Sequence, residues 1–401
     1  MWRRVTGVVV SYYILSALTS ISMGFIMGVY SNFLRSGGLD EFSVNMVNVV
    51  YFAVITLCEI PTGLFADIFG RKGSFVISCF METLSFAIYG FSRSFASFAT
   101  AEALGAVGRT FASGAFDAWL VDSLKNEGGS HNLLKIFAKR SLICRTSVIV
   151  SAIIGGWIGD RGMNLPFFAG SILYFITGVT ALLIMKETYF ERVKFSFSKG
   201  IQEMKSTWNR SLAFAKSDIN FRFILIISAV QMFAYMAPNM EWQKVFSDLG
   251  LSNSWNGLIG GFINAAIITG LILSRKLGRF IKEERNQMIF TQILTGVCIV
   301  LTVSFVNIYP IAIFFFLHEI GRGMSGPVMD SYTQKCITSS KERATLGSFG
   351  SMVGHFGGAL GLITSGLIAK YAGITSAWIV SGTVLVLVTL WLMRNNHRKT
   401  E

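Results

Sequence analysis

The feature that most constrains this chain is its series of long apolar runs. Twelve such stretches lie near 6–34, 43–66, 73–92, 96–124, 134–160, 165–186, 220–246, 254–275, 286–306, 309–334, 344–370 and 374–394. Each is long enough to cross bilayer hydrocarbon as a helix, which takes about 20 residues. In lipid every backbone polar group must be satisfied locally, so only helices and closed barrels span. The runs are continuous rather than alternating, which excludes barrel strands. Charged residues are 14% of the 401 and hydrophobic ones 52%. That is too little charge to coat a water-facing surface, and too much apolar matter for disorder. The first run follows Met1-Trp2-Arg3-Arg4 and is longer than a cleaved signal peptide, so it reads as a retained helix. The expected fold is an all-α membrane protein, with twelve transmembrane helices in two pseudo-symmetric six-helix bundles. These bundles are 1–186 and 220–401, joined by a cytoplasmic linker, 187–219.

The net charge of +13 would suggest nucleic acid on a soluble protein. Here it has a topological meaning. Of the 35 Lys and Arg, only Arg35, Arg93, Arg161, Lys244 and Lys370 fall in or at the edges of connections on one side, and Arg109, Arg145 and Arg322 fall well inside runs, whose bounds hold to a few residues. All the others lie on the opposite side, which the positive-inside rule makes the cytoplasm. Both termini then belong there, in a cell (inner) membrane protein that binds no nucleic acid. In the linker, Ile201, Met204, Trp208, Leu212 and Ala215 recur at helical spacing among basic residues, as in a helix lying on the membrane face. Cys58, Cys79, Cys144, Cys298 and Cys336 show no metal-ligand spacing and read as small apolar side chains.

The two halves repeat. Gly108-Arg109 followed by Asp117 in the fourth run matches Gly321-Arg322 followed by Asp330 in the tenth, offset by 213. Gly155-Gly156-Trp157-Ile158 of the fifth matches Ser365-Gly366-Leu367-Ile368 of the eleventh, offset by 210. Asp67-Ile-Phe-Gly70-Arg71 matches Arg275-Lys-Leu-Gly278-Arg279, offset by 208. Three matches at nearly one offset indicate a duplicated six-helix unit. Two such bundles related by an axis along the membrane normal can rock and expose a central site to alternating sides.

Gly63-Leu-Phe-Ala-Asp67-Ile-Phe-Gly70-Arg71-Lys72 resembles the G-x-x-x-D-x-x-G-R-K signature between the second and third helices of the major facilitator superfamily. Arg109-x4-Gly114-x3-Ala118 resembles the family's fourth-helix motif, whose Arg is implicated in proton transfer. Ile153-Ile154-Gly155-Gly156 resembles the end of the exporter motif, with Ser151-Ala152 standing where Gly-Pro is expected. The likeness spans the whole chain and is strongest to the twelve-helix drug–proton antiporter branch. It implies a gating latch in which Asp67 meets the positive N-terminus of helix 11 and Arg71 pairs with Asp122. It also implies that helices 1, 4, 7 and 10 line the cavity while 3, 6, 9 and 12 are peripheral. The second-half copy has Arg275 in place of the acid, so the latch is expected once only.

Charges in hydrocarbon are costly and are kept for partners or function. The deep set is Glu59, Glu82, Glu102, Arg109, Asp117 and Arg145 in the first half, and Glu241, His318, Glu319, Arg322 and His355 in the second. Proton coupling needs a carboxylate or imidazole whose charge changes between access states. Glu59 is the first candidate, then Glu319 and His355, with Arg109 and Arg322 as counter-charges and Asp117, Arg145 and His318 in the same network. Glu82 reads as a packing residue. Tyr30, Asn32, Glu241, Trp242 and Gln243 are candidate substrate contacts near the outer end.

The function these features support is secondary active transport by alternating access: proton-coupled efflux of a small organic molecule, without cofactor, driven by the proton gradient, in a monomer. A proton-coupled importer or uniporter on the same fold stays open. An intramembrane serine protease is a distant alternative, since Gly323-Met-Ser325-Gly326 would need activation by His355 in the next run. There is no P-loop for ATP and no filter-like charge ring.

Overall fold

A computed structural model describes residues 7–128, 131–187, 208–336 and 340–397; for Ile60, Leu64, Asp67, 340–345, Ser348 and 395–397 it describes the backbone alone. In chain order the helices are α1 (Gly7–Gly24), α2 (Tyr30–Ser36), α3 (Glu41–Phe69), α4 (Arg71–Phe91), α5 (Phe95–Ala112), α6 (Ala115–Asn126), α7 (Leu133–Gly159) and α8 (Leu165–Ile184). A short α9 covers 208–217. It is followed by α10 (Ile219–Asp248), α11 (Asn253–Phe280), α12 (Glu284–Thr302), α13 (Ile308–Cys336) and α14 (Ser340–His397). No strand occurs among the described residues. The eleventh and twelfth runs both lie in α14, divided at Gly373 (φ 85°). Eight of these helices are by themselves long and apolar enough to span a membrane; α5, α6, α12 and α13 are not among them.

Local sequence explains most boundaries. Ser94 and Ser97 form a capping box at the start of α5, Asn132 caps α7, and Pro166 sits in the first turn of α8. Two runs expected to be continuous are broken. The first parts between α1 and α2. The fourth parts at Gly114, whose φ of 72° ends α5 and starts α6. Nothing lies within 4 Å of a Cβ placed there, so it is backbone conformation, not crowding, that asks for glycine. At the same offset of 213 the second half has Pro327, and α13 runs on through it.

Contacts divide the chain into two compact units. Unit 1 is Met1–Leu39, Ala53–Phe197 and Phe246–Asn264; unit 2 is Asp40–Phe52, Ser198–Val245 and Ala265–Glu401. Membership therefore departs from chain order at 40–52 and 246–264. Within unit 1, α4 packs on α5 and α8, and α1 on α7. Within unit 2, α12 packs on α13 and α14. The core of unit 1 gathers Tyr12, Leu15, Phe75, Phe116, Trp119 and Leu120. That of unit 2 includes Phe223, Ile227, Met288, Val328 and Leu392.

The internal repeat reappears as contacts. Gly24 of α1 lies against Ser151 of α7; Phe233 of α10 lies against Gly361 of α14, at offsets of 209 and 210. Gly156 of α7 meets Asn253 and Gly257, and Gly366 of α14 meets Phe42 and Asn45. Small residues at these positions let backbones approach, which is how helices associate where lipid supplies no hydrophobic drive.

On α9, Ser211 and Ala215 are buried, and Trp208 sets its ring edge-on against Phe349 at 5.2 Å. Leu212 is exposed. Phe214 sets its ring edge-on against Phe221 at 5.2 Å. Ile201 and Met204 lie outside the described residues.

In the turn before α3, Asp40 pairs with Lys370 at 2.8 Å. The hydrogen bond from Lys370, then those from Ser43, draw its carboxyl from 3.8 down to about 2. A depressed folded value stabilises above the unfolded value, and the gain is lost as pH falls from about 4 to 2. Both side chains are more than a third exposed, so the effect is small. Thermal unfolding of wild type and Asp40→Asn should differ at pH 5 and converge by pH 2. A constant difference across that range would contradict the assignment.

Candidate functional site

A cavity of about 510 Å³ lies wholly inside unit 1, within the range of small-molecule sites. α1 contributes Thr19, Ser20 and Met23, and α4 contributes Phe75, Ser78, Cys79 and Glu82. The α5–α6 break adds Arg109, Ser113, Gly114, Phe116 and Asp117; α7 adds Arg140, Cys144 and Val148, and α8 adds Tyr174. The break at Gly114 places Asp117 in the first turn of α6, where the positive helix end favours an acid.

Asp117 is the hub of this wall. It accepts a hydrogen bond from Tyr12 Oη at 2.6 Å and pairs with Arg140 Nη1 at 2.9 Å. Arg140 also donates to Ser16 Oγ at 3.2 Å, and its guanidinium lies over the rings of Tyr12 and Phe116. Arg140 is thus a partner of Asp117 that the sequence did not single out, while Arg109, expected in the same network, lines the same cavity. Arg140 reads as a loop residue by its closeness to the start of the run. The missed signal is Asn132: once it caps α7, Arg140 falls two turns inside the helix.

Unit 2 holds a second ionic cluster, on α13 facing α10. Glu319 and His318 are buried, with His318 Nε2 3.3 Å from Glu319 Oε1. Arg322 Nη1 is 3.5 Å from the same oxygen and donates to Asn239 Oδ1 at 2.7 Å. Its guanidinium lies 5.1 Å from the centre of the Tyr235 ring. Here the structure brings together three residues named from sequence and adds two, Asn239 and Tyr235, whose uncharged side chains gave no signal.

At the start of α4, Gly70 has φ 99°, and a Cβ there would meet the Glu187 carboxylate. That carboxylate accepts from the backbone N–H groups of Arg71 at 2.7 Å and Lys72 at 3.0 Å. It caps the helix in place of a side-chain N-cap. The Arg71 guanidinium pairs with Asp122 at 2.5 Å. The side chain of Asp67 lies outside the described residues, and around Gly63 a Cβ would meet open space.

The other named residues are dispersed. Glu59 is exposed on α3, outside both clusters. Arg145 is half-buried on α7, and His355 lies with its ring 5.7 Å from Phe52. Tyr30 donates to Glu102 at 3.3 Å, and Asn32 donates to Ser247 Oγ at 2.8 Å, which also accepts from Asn256. Glu241, Trp242 and Gln243 are all buried, with Trp242 near Phe315. None of these five lines the unit 1 cavity. Ser325 is buried and donates to the Arg322 carbonyl at 2.8 Å. Among the described residues no group of His, Cys, Asp and Glu could hold a metal.

The profile of the Major Facilitator Superfamily matches residues 12–287 and 223–401. The chain is 25% identical over 385 residues to an uncharacterised transporter of that type, YxaM of Bacillus subtilis (strain 168), covering 94% of this chain and 93% of that one. It is 28% identical over 171 residues to multidrug resistance protein 2 of the same organism, covering 42% and 41%. The crystal structure of the nucleoside transporter NupG superposes with a TM-score of 0.78 over 97% of this chain and 99% of the other. At 14% identity that likeness speaks for the fold alone.

Proposed function

Because the chain belongs to the major facilitator superfamily and is a multi-pass membrane transporter rather than an enzyme, we propose that it exports a small organic molecule in exchange for protons. In this reading it sits in the cell's inner membrane with both termini in the cytoplasm, works as a monomer without cofactor, and draws on the proton gradient. The observation that supports it is the unit 1 cavity, which sets aromatic walls (Phe75, Phe116, Tyr174) beside a guanidinium and an ion pair (Arg109, Asp117–Arg140). Aromatic walls suit an apolar or aromatic ligand. The charges are costly in hydrocarbon unless they serve the transport cycle. A proton taken up by an acid of this network cancels its attraction to arginine, so proton binding and access state become linked. The likeness to a multidrug resistance protein supports the same direction of transport.

The importer or uniporter reading is favoured by one feature, Ser151-Ala152 in place of the exporter Gly-Pro. Everted vesicles with an acid interior, made with and without the chain, separate the two. Ethidium or tetracycline should collapse the pH gradient only when the chain is present, and Arg109→Ala should lower that rate at least tenfold. Uptake of a nucleoside or pentose that persists with an uncoupler, without proton movement, would replace the proposal by the importer.

A further inference from the structure

The interior of unit 1 holds ionisable groups that the Asp117–Arg140 pair does not explain. Glu102, Gly105, Gly108 and Arg109 follow one another along one face of α5. The two glycines leave a trough, and Glu82 of α4 lies in it. A Cβ on Gly105 would be 3.5 Å from Glu82 Oε2, and one on Gly108 would be 3.3 Å from Glu82 Cγ. The Glu82 side chain, 6% exposed, is therefore laid between Glu102 on one side and Arg109 on the other, and the charges of both act on it. Glu82, expected as a packing residue, thus shares the glycine face of α5 with Ser85 and Met81 and carries a charge into it.

The surroundings of Glu102 are different. Its Oε2 accepts hydrogen bonds from Tyr89 of α4 and from Tyr30 of α2, whose hydroxyls are 3.3 Å apart. Phe167 of α8 stacks on Tyr89 at 5.2 Å, closing that side with an apolar ring. The groups facing Glu102 from α2 and α4 are thus neutral phenols and the Glu82 carboxylate. Arg109 faces Glu82. Tyr174 of α8 and the Asp117–Arg140 pair lie on the cavity wall, where Asp117 and Arg140 already neutralise each other. Glu82 and Arg109 also line the cavity and so reach water there; Glu102 does not. Glu82 is buried, Glu102 half-buried and Arg109 exposed, and two carboxylates whose charges act on each other beside one guanidinium form a pair that titrates as a unit.

We propose that Glu82 and Glu102 form one proton-binding site inside unit 1, which exchanges a single proton with water in the cavity, with Arg109 as counter-charge and Tyr30 and Tyr89 as donors that hold Glu102 in place. The proton enters from cavity water onto a carboxylate oxygen and leaves by the same route, and no other bond changes. This deepens the proton-coupled reading by naming the residues that carry the proton, and it moves that role from Glu59 on α3 to the α4–α5 contact.

The test is infrared spectroscopy of the purified full-length chain as pH is varied, which needs no knowledge of the substrate. Wild type should show one interior carboxylic-acid carbonyl band that titrates. Glu82→Gln should remove it, because Glu82 lines the cavity while the phenol donors favour an ionised Glu102; Glu102→Gln should shift its frequency, and the double variant should lack it. Tyr89→Phe keeps the stacked ring and removes one donor, so it should displace the titration midpoint by about one pH unit even where the glutamine variants do not fold. A band indifferent to all these substitutions, or no such band in wild type, overturns the site. Flux measurements keep the two claims apart. A normal band without pH-driven flux tells against proton coupling and spares the site; normal flux without the band does the reverse.

Discussion

A chain carrying Gly155→Leu should fail to yield a stable, monodisperse protein in detergent. A Cβ at this position on α7 would overlap the carbonyl group of Phe25, and the next residue, Gly156, already sits against the Asn253 carbonyl and Gly257. The obstacle is backbone, which cannot rotate away as a side chain would. Overpacking in a core costs about 1–3 kcal/mol when neighbours can adjust, and here α7 has to separate from the backbone that leaves α1 at Phe25, so the cost should lie at or beyond that upper end. Gly347→Leu on α14 is the control, because nothing lies within 4 Å of its Cβ position. Size-exclusion profiles and melting temperatures of the two variants make the comparison. Equal behaviour would show that close approach at Gly155 is not what holds this part of unit 1 together.

Arg322→Ala should produce the largest loss attributable to a single charge. Its guanidinium serves Glu319, Asn239 and the Tyr235 ring together. Glu319 is 2% exposed beside a buried His318, so removing the arginine leaves charge in a poorly solvated place. Breaking a buried pair costs about 3–5 kcal/mol. Because the Arg322 side chain is 30% exposed, the lower end applies. Arg322→Lys keeps the charge but not the planar fork that reaches Asn239 and the ring together, and should recover part of the stability and little of the transport. Transport rates and melting temperatures of both variants, set beside Glu319→Gln/Arg322→Ala, test this. The double variant removes both charges, so its stability should exceed that of Arg322→Ala alone. If it does not, the charge left on Glu319 is not the source of the loss.

The bilayer makes much of this molecule readable from composition and spacing. Helix is the backbone's main refuge in hydrocarbon, so runs of apolar residues declare the elements. The offset near 210 that relates Gly156 to Gly366 in the chain returns as equivalent helix contacts. Charges inside runs were also visible, and three of them, His318, Glu319 and Arg322, meet as neighbours because spacings of three and four on a helix bring side chains together.

Residues from different helices were another matter. The partnership of Asp117 with Arg140 and Tyr12, the seat of Glu187 under Gly70, and the trough that receives Glu82 all join positions 23 to 117 residues apart. Helical periodicity ranks a residue's depth and face within its own element. It carries no information on which neighbour's glycines leave room for it, so Glu59 was ranked above Glu82 although Glu59 is exposed and Glu82 buried. Sequence alone determined the twelve spans, their duplication and the ionisable groups worth watching. Tertiary structure decided which acids meet which bases, because that depends on how backbones approach across helices, a distance set by packing and not by any local pattern.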